Sequence, residues 1–167
     1  GPVGMGLIAL ARKKPDEALR IFEDALVNNP GMSRYKEATL GKLEALVELE
    51  KYEDAIKLAL STVGDKMFRG QPAADAYMLL AKAYRKQAAK ASGAEGTELL
   101  KKAHGTYQRV YVAYQGFPDV CAEAYWQAYE TAKELGEETL AADTLKALRE
   151  HPKLTNTKAA KKAAGTN

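Results

Sequence analysis

Apolar residues recur along the chain at steps of three and four. Ala18, Leu19, Phe22, Ala25 and Leu26 do so, as do Leu40, Leu43, Leu46 and Val47, and then Ala55, Ile56, Ala59 and Leu60. Such spacing puts one apolar stripe on a helix. No stretch alternates apolar and polar residues between turn signals, so no strand is predicted. Breakers fall at Pro15, Pro30-Gly31, Gly64, Gly70, Pro72, Ser92-Gly93, Gly116, Pro118, Gly136 and Pro152, cutting the chain into segments of roughly ten to twenty residues. The pattern predicts seven helices and part of an eighth: 4–13 (a stump), 15–28, 33–50, 52–62, 73–91, 96–115, 118–135 and 137–150.

Paired helices at a near-constant period call for a repeat test. Four second helices align: Ala18, Leu19, Phe22, Ala25 and Pro30; Ala55, Ile56, Ala59 and Leu60; Ala103, Tyr107 and Val110; Ala141, Leu145, Leu148 and Pro152. Two first helices share a second pattern, Tyr77, Leu80, Ala81 and Tyr84 against Tyr125, Ala128, Tyr129, Ala132 and Gly136. The turns Lys14-Pro15-Asp16-Glu17-Ala18 and Lys51-Tyr52-Glu53-Asp54-Ala55 also match each other. On these residues the chain resembles the tetratricopeptide repeat family from about Met5 to Pro152. The resemblance implies an all-α, right-handed α-solenoid of about 3.5 to 4 helix-turn-helix units, placed near 5–30, 33–63, 73–115 and 118–152. It also implies a non-catalytic scaffold that binds a protein or peptide in a concave groove lined by first helices. Three departures stand out. Gly41 comes two residues before the expected small residue, leaving Leu43 there; residues 85–98 make the third unit longer than standard; and the first unit begins inside its own first helix. The Ala-Tyr-Gln-Gly-Phe-Pro turn is similar to repeat proteins of the bacterial cell envelope.

Projecting the first helices gives the candidate site. Positions between the packing residues, namely Leu40, Glu44 and Val47, then Met78, Lys82, Arg85 and Lys86, then Trp126, Glu130 and Lys133, are expected to face the groove. Its ligand would be an acidic and apolar segment, anchored by Trp126 and Met78 and oriented by Lys82 and Arg85. For any single charge, simple solvation is the competing explanation. The paired-Asn clamp with which some family members grip chaperone tails is missing from these helices. Tyr107, Val110, Tyr111 and Tyr114 share one stripe; core packing is the plain reading, with Tyr111 and Tyr114 a second candidate surface.

Charge sharpens the alternatives. The chain has 167 residues with 25 Lys and Arg against 22 Asp and Glu. Residues 119–150 hold eight acidic and three basic side chains, whereas 82–109 hold seven basic and two acidic. Self-association between those stretches, or through the open edge of the first unit, is the main alternative function. Weak electrostatic attraction of nucleic acid through 82–109 and the tail is the lesser one, and no specific nucleic-acid motif accompanies it. Four lysines and no acid in 151–167 predict a basic, disordered tail over 153–167. Gly1-Pro2 has the look of a tag-cleavage scar, with residues 1–4 leading into the truncated helix.

Catalytic chemistry finds no foothold. His104 and His151 stand far apart, and Cys121 has no second cysteine near it, so neither a metal site nor a cofactor is expected. His104 reads as a surface residue beside Lys101 and Lys102, and Cys121 as a small apolar residue in a helix. One cysteine fits a reducing cytosol and a periplasm equally. No apolar run approaches the roughly 18 residues of a membrane span.

Overall fold

The computed structural model describes residues 1–167 as nine α-helices and a 3-10 turn, with no strand: α1 (Pro2–Ala11), α2 (Pro15–Asn28), α3 (Tyr35–Glu48), α4 (Tyr52–Val63), the turn Lys66–Phe68, α5 (Gln71–Lys90), α6 (Gly93–Ala113), α7 (Pro118–Glu134), α8 (Glu138–Glu150) and α9 (Lys158–Ala164). Helix starts follow from composition. Proline, whose fixed φ suits a first turn and whose missing N–H costs nothing there, opens α1, α2 and α7. Acids occupy the first turns of α2 and α4, where they meet the positive end of the helix dipole.

One turn recurs three times. Lys13, Glu50 and Gly136 adopt left-handed φ of 61°, 62° and 74°. In each case the next N–H donates to a carbonyl five residues back: Lys14 to Ala9, Lys51 to Leu46 and Glu137 to Ala132. This closure satisfies helix-end carbonyls and reverses the chain, so that α2, α4 and α8 fold back on α1, α3 and α7.

Residues 1–79 and 80–167 form two compact units, the boundary falling inside α5. In the first, α1 packs on α2 and α3, α2 on α3, and α3 on α4. Phe22 is fully buried at its centre. A Cβ on Gly6 or on Gly41 would stand well inside 3 Å of the Phe22 ring, so glycine is what lets α1 and α3 approach it. The close contact thus falls at Gly41 and not at Leu43, which is an ordinary core residue. Val47, projected from sequence onto the groove, is likewise fully buried.

In the second unit α7 packs on α6, α8 and α9. Residues 153–167 do not form the disordered tail expected from their composition. Leu154 is buried, Thr157 caps α9 by accepting from the Ala160 N–H at 3.1 Å, and Ala159, Ala160 and Ala163 are buried. Arg149 Nε adds a bond of 2.8 Å to the Ala163 carbonyl. The physical reason is packing: a stripe of alanines needs no large side chain to lie close against α7 and α8.

Candidate functional site

In the first unit, α1, α3 and α5 line a cleft of about 380 Å³. Leu7 comes from α1, Glu37, Leu40, Gly41 and Glu44 from α3, and Asp75, Met78 and Leu79 from α5. Helical spacing explains the set. Glu37, Leu40 and Glu44 stand at i, i+3 and i+7, and Asp75, Met78 and Leu79 at i, i+3 and i+4, so each group shares one face. The cleft is therefore apolar at four positions and acidic at three. Arg34 forks onto Glu37 at 2.7 and 3.0 Å, and that hydrogen bond, with the Arg34 charge, holds the carboxyl below its usual range. Burial pushes the Asp75 carboxyl up, opposed by a 2.8 Å hydrogen bond from Gln71.

Three of the residues projected from sequence, Leu40, Glu44 and Met78, meet in this cleft. The others do not form an open basic surface. Arg85 donates to Glu134 at 2.7 Å and to Gln127 at 2.5 Å, tying α5 to α7 within the second unit. Lys82 and Lys86 are half-buried on α5. Trp126, expected as an exposed anchor, is only 8% exposed. Its Nε1 donates to Glu130 at 3.1 Å, its ring lies 5.2 Å from that of Tyr129, and the Lys162 ammonium of α9 sits 5.0 Å from its centroid. Lys133 reaches over Tyr129 at 5.0 Å. The reason for the difference is the C-terminal helix, which packs on α7 at the face the projection left open.

The second candidate surface is also partly consumed. Tyr111 stacks on Tyr125 with centroids 4.0 Å apart and planes 10° from parallel, and Tyr114 lies 6.4 Å from Phe117. Tyr107 is buried, which pushes its hydroxyl up to about 12. His104 is not on the surface: it is 8% exposed, its Nε2 has no hydrogen-bond partner, and burial lowers its pKa. The signal was present, since Leu100, Ala103, His104 and Tyr107 continue one helical stripe. Cys121 is a buried free thiol, its Sγ 3.6 Å from the Tyr111 carbonyl. Leu7, Glu37, Asp75 and Leu79 escaped the sequence projection, which began one turn too late on α3 and α5 and treated α1 as a stump.

No cluster of three His, Cys, Asp or Glu side chains able to hold a metal ion occurs, and no helix is long and apolar enough to cross a membrane. No family model matches the sequence, and no curated protein is detectably similar to it. Among solved structures, a thermophilic TPR protein of Thermus thermophilus is similar, with a TM-score of 0.70, 24% identity, and coverage of 97% of this chain and 79% of that one. The chain has the tetratricopeptide-repeat fold.

Proposed function

We propose that this TPR-like protein is a non-catalytic adaptor that holds a partner segment in the cleft between α1, α3 and α5. The observation that supports this is the lining itself, Leu7, Leu40, Met78 and Leu79 beside Glu44 and Asp75, with Glu37 already held by Arg34. Apolar side chains supply the area that drives docking, and carboxylates fix register and sign. The favoured partner is therefore cationic and apolar, the reverse of the acidic segment expected from Lys82 and Arg85. Arg85 is already committed to Glu134.

A labelled helical peptide with Arg and Leu at i, i+3 and i+4 tests this by fluorescence anisotropy. It should bind wild type at low salt and lose at least about tenfold in affinity with Glu44→Lys/Asp75→Lys. Equal binding by that variant, or preference for a Glu and Leu peptide, would reverse the reading.

Self-association keeps one observation in its favour. α1 carries no charged side chain, and its Met5 and Ile8 are 60% and 52% exposed. A mass that rises with concentration and is lost on Met5→Glu/Ile8→Lys would support it. Electrostatic nucleic-acid binding has less to stand on, because Arg85, Lys101 and Lys162 lie against Glu134, Glu98 and Trp126.

A further inference from the structure

The outward stripe of α1 is apolar, ends in a cation and is symmetric about its middle. Val3, Gly6 and Ala9 are buried against the rest of the first unit. Met5, Ile8 and Arg12 stand at i, i+3 and i+7 on a different side of the helix, and all three are exposed. Ile8 lies at the midpoint, with Met5 and Arg12 about one turn to either side of it. Two such helices laid antiparallel about a two-fold axis at Ile8 would set Ile8 on Ile8, and Arg12 of each copy on Met5 of the other.

Beside Met5 lies what an arginine needs. A cavity of about 480 Å³ opens between the N-terminal end of α1, the α2 helix and the loop before α3. Val3, Met5, Ile21 and Met32 give it apolar walls, and Asp24 is its one acid. The other charge there, Arg34, is already forked onto Glu37. Neither Arg12 nor Asp24 is spent within the chain, whereas Arg34, Lys42, Arg85 and Lys101 pair with Glu37, Glu23, Glu134 and Glu98. An apolar wall with a carboxylate suits the methylene stem and guanidinium of an arginine.

We propose that α1 is a two-fold pairing surface whose occupant is a second copy of this chain. Ile8 meets its counterpart on the axis, and Arg12 of each copy lies along Met5 of the other and bonds that copy's Asp24. The ion pair forms twice and fixes the antiparallel register. An anionic lipid surface fits less well, because it would bring phosphates against Asp24. One helix face falls short of the roughly 800 Å² per partner of a standard interface, so the pairing is weak and reversible. This deepens the self-association reading above and rests on it. The cleft and its peptide stand apart, since Ile8, Arg12 and Asp24 do not line that cleft.

Sedimentation equilibrium of the full chain at low salt tests it. Wild type should move from monomer to dimer at concentrations on the order of 0.1–1 mM. Arg12→Glu and Asp24→Lys, both at exposed positions, should each keep the wild-type melt and each weaken pairing at least about tenfold. An equal mixture of the two variants should recover dimer, because both ion pairs re-form with their signs exchanged. Cross-linking reads the axis directly. Cys121 is buried, so mild oxidation of Ile8→Cys should join two copies through position 8 at least about tenfold faster than Leu60→Cys, although Leu60 is 50% exposed. A monomer throughout that range, a mixture no better than either variant, or equal cross-linking at both positions would overturn the proposal. A mass that climbs past the dimer would replace the two-fold contact with a head-to-tail one. A monomer that co-sediments with phosphatidylglycerol vesicles would give the face to a membrane instead.

Discussion

The first-helix faces of the two units differ in what fills them. In residues 1–79 the face between α1, α3 and α5 is a cleft, and its polar ties, Arg34 to Glu37 and Gln71 to Asp75, each run along a single helix end and do not cover it. In residues 80–167 the corresponding side chains are already occupied: Arg85 by Glu134 and Gln127, Trp126 by Glu130 and Lys162. One helical pattern thus yields an open surface and a filled one. What separates them is not the first helix but what later sequence supplies to cover it. A residue's position on a repeat face therefore gives its direction, and the rest of the chain decides whether that direction ends in solvent.

The comparison breaks first at Phe22. Phe22→Ala should cost about 3–5 kcal/mol, because the cavity left behind faces Gly6 and Gly41, which have no side chains to refill it. Urea unfolding followed by circular dichroism measures it, and a loss below about 1 kcal/mol would show that α1 and α3 close up on their own. Next comes the tie in the second unit. Arg85→Ala removes two hydrogen bonds, but the Glu134 side chain is 42% exposed, so water replaces much of what is lost and about 1–2 kcal/mol is expected. The same melt should show Lys133→Ala near neutral, since Lys133 is exposed and its contact with Tyr129 is a surface one.

The smallest effect is a pH dependence set by His104. Burial lowers its folded pKa beneath the ordinary 6.5. Below that ordinary value the unfolded chain takes up a proton that the folded chain refuses, so stability falls as pH drops from about 6.5 towards the depressed folded value, and is fully present above it. His104→Leu should flatten that limb of the stability profile below about pH 6.5. A limb that survives the substitution would place the titrating group elsewhere.

Much of the fold was legible because helices are local. Period, proline and glycine located eight helices to within a few residues, and the recurring turn was visible as Lys14-Pro15 and Lys51-Tyr52. The cleft was half legible: Leu40, Glu44 and Met78 follow from spacing on single helices, while Asp75 and Leu7 lie outside the repeat motif used to project them. α9 was not legible, since alanines at 159, 160 and 163 give no strongly apolar stripe and only their contact with α7 and α8 makes the helix worth forming. The fate of Trp126 depended on α9 and was lost with it.

Phe22 stands directly behind the cleft. Its ring meets Gly6 on α1 and Gly41 on α3, and Gly41 is itself part of the lining. The spacing of two cleft walls is thus fixed by a ring against bare backbone, with no rotatable side chain in between. Under the proposed docking, a segment would meet two walls whose spacing is already set, so little of the gain on contact would be spent on rearranging them. Association at this cleft should look like the meeting of a rigid mould and a pliable guest, with the ordering confined to the guest.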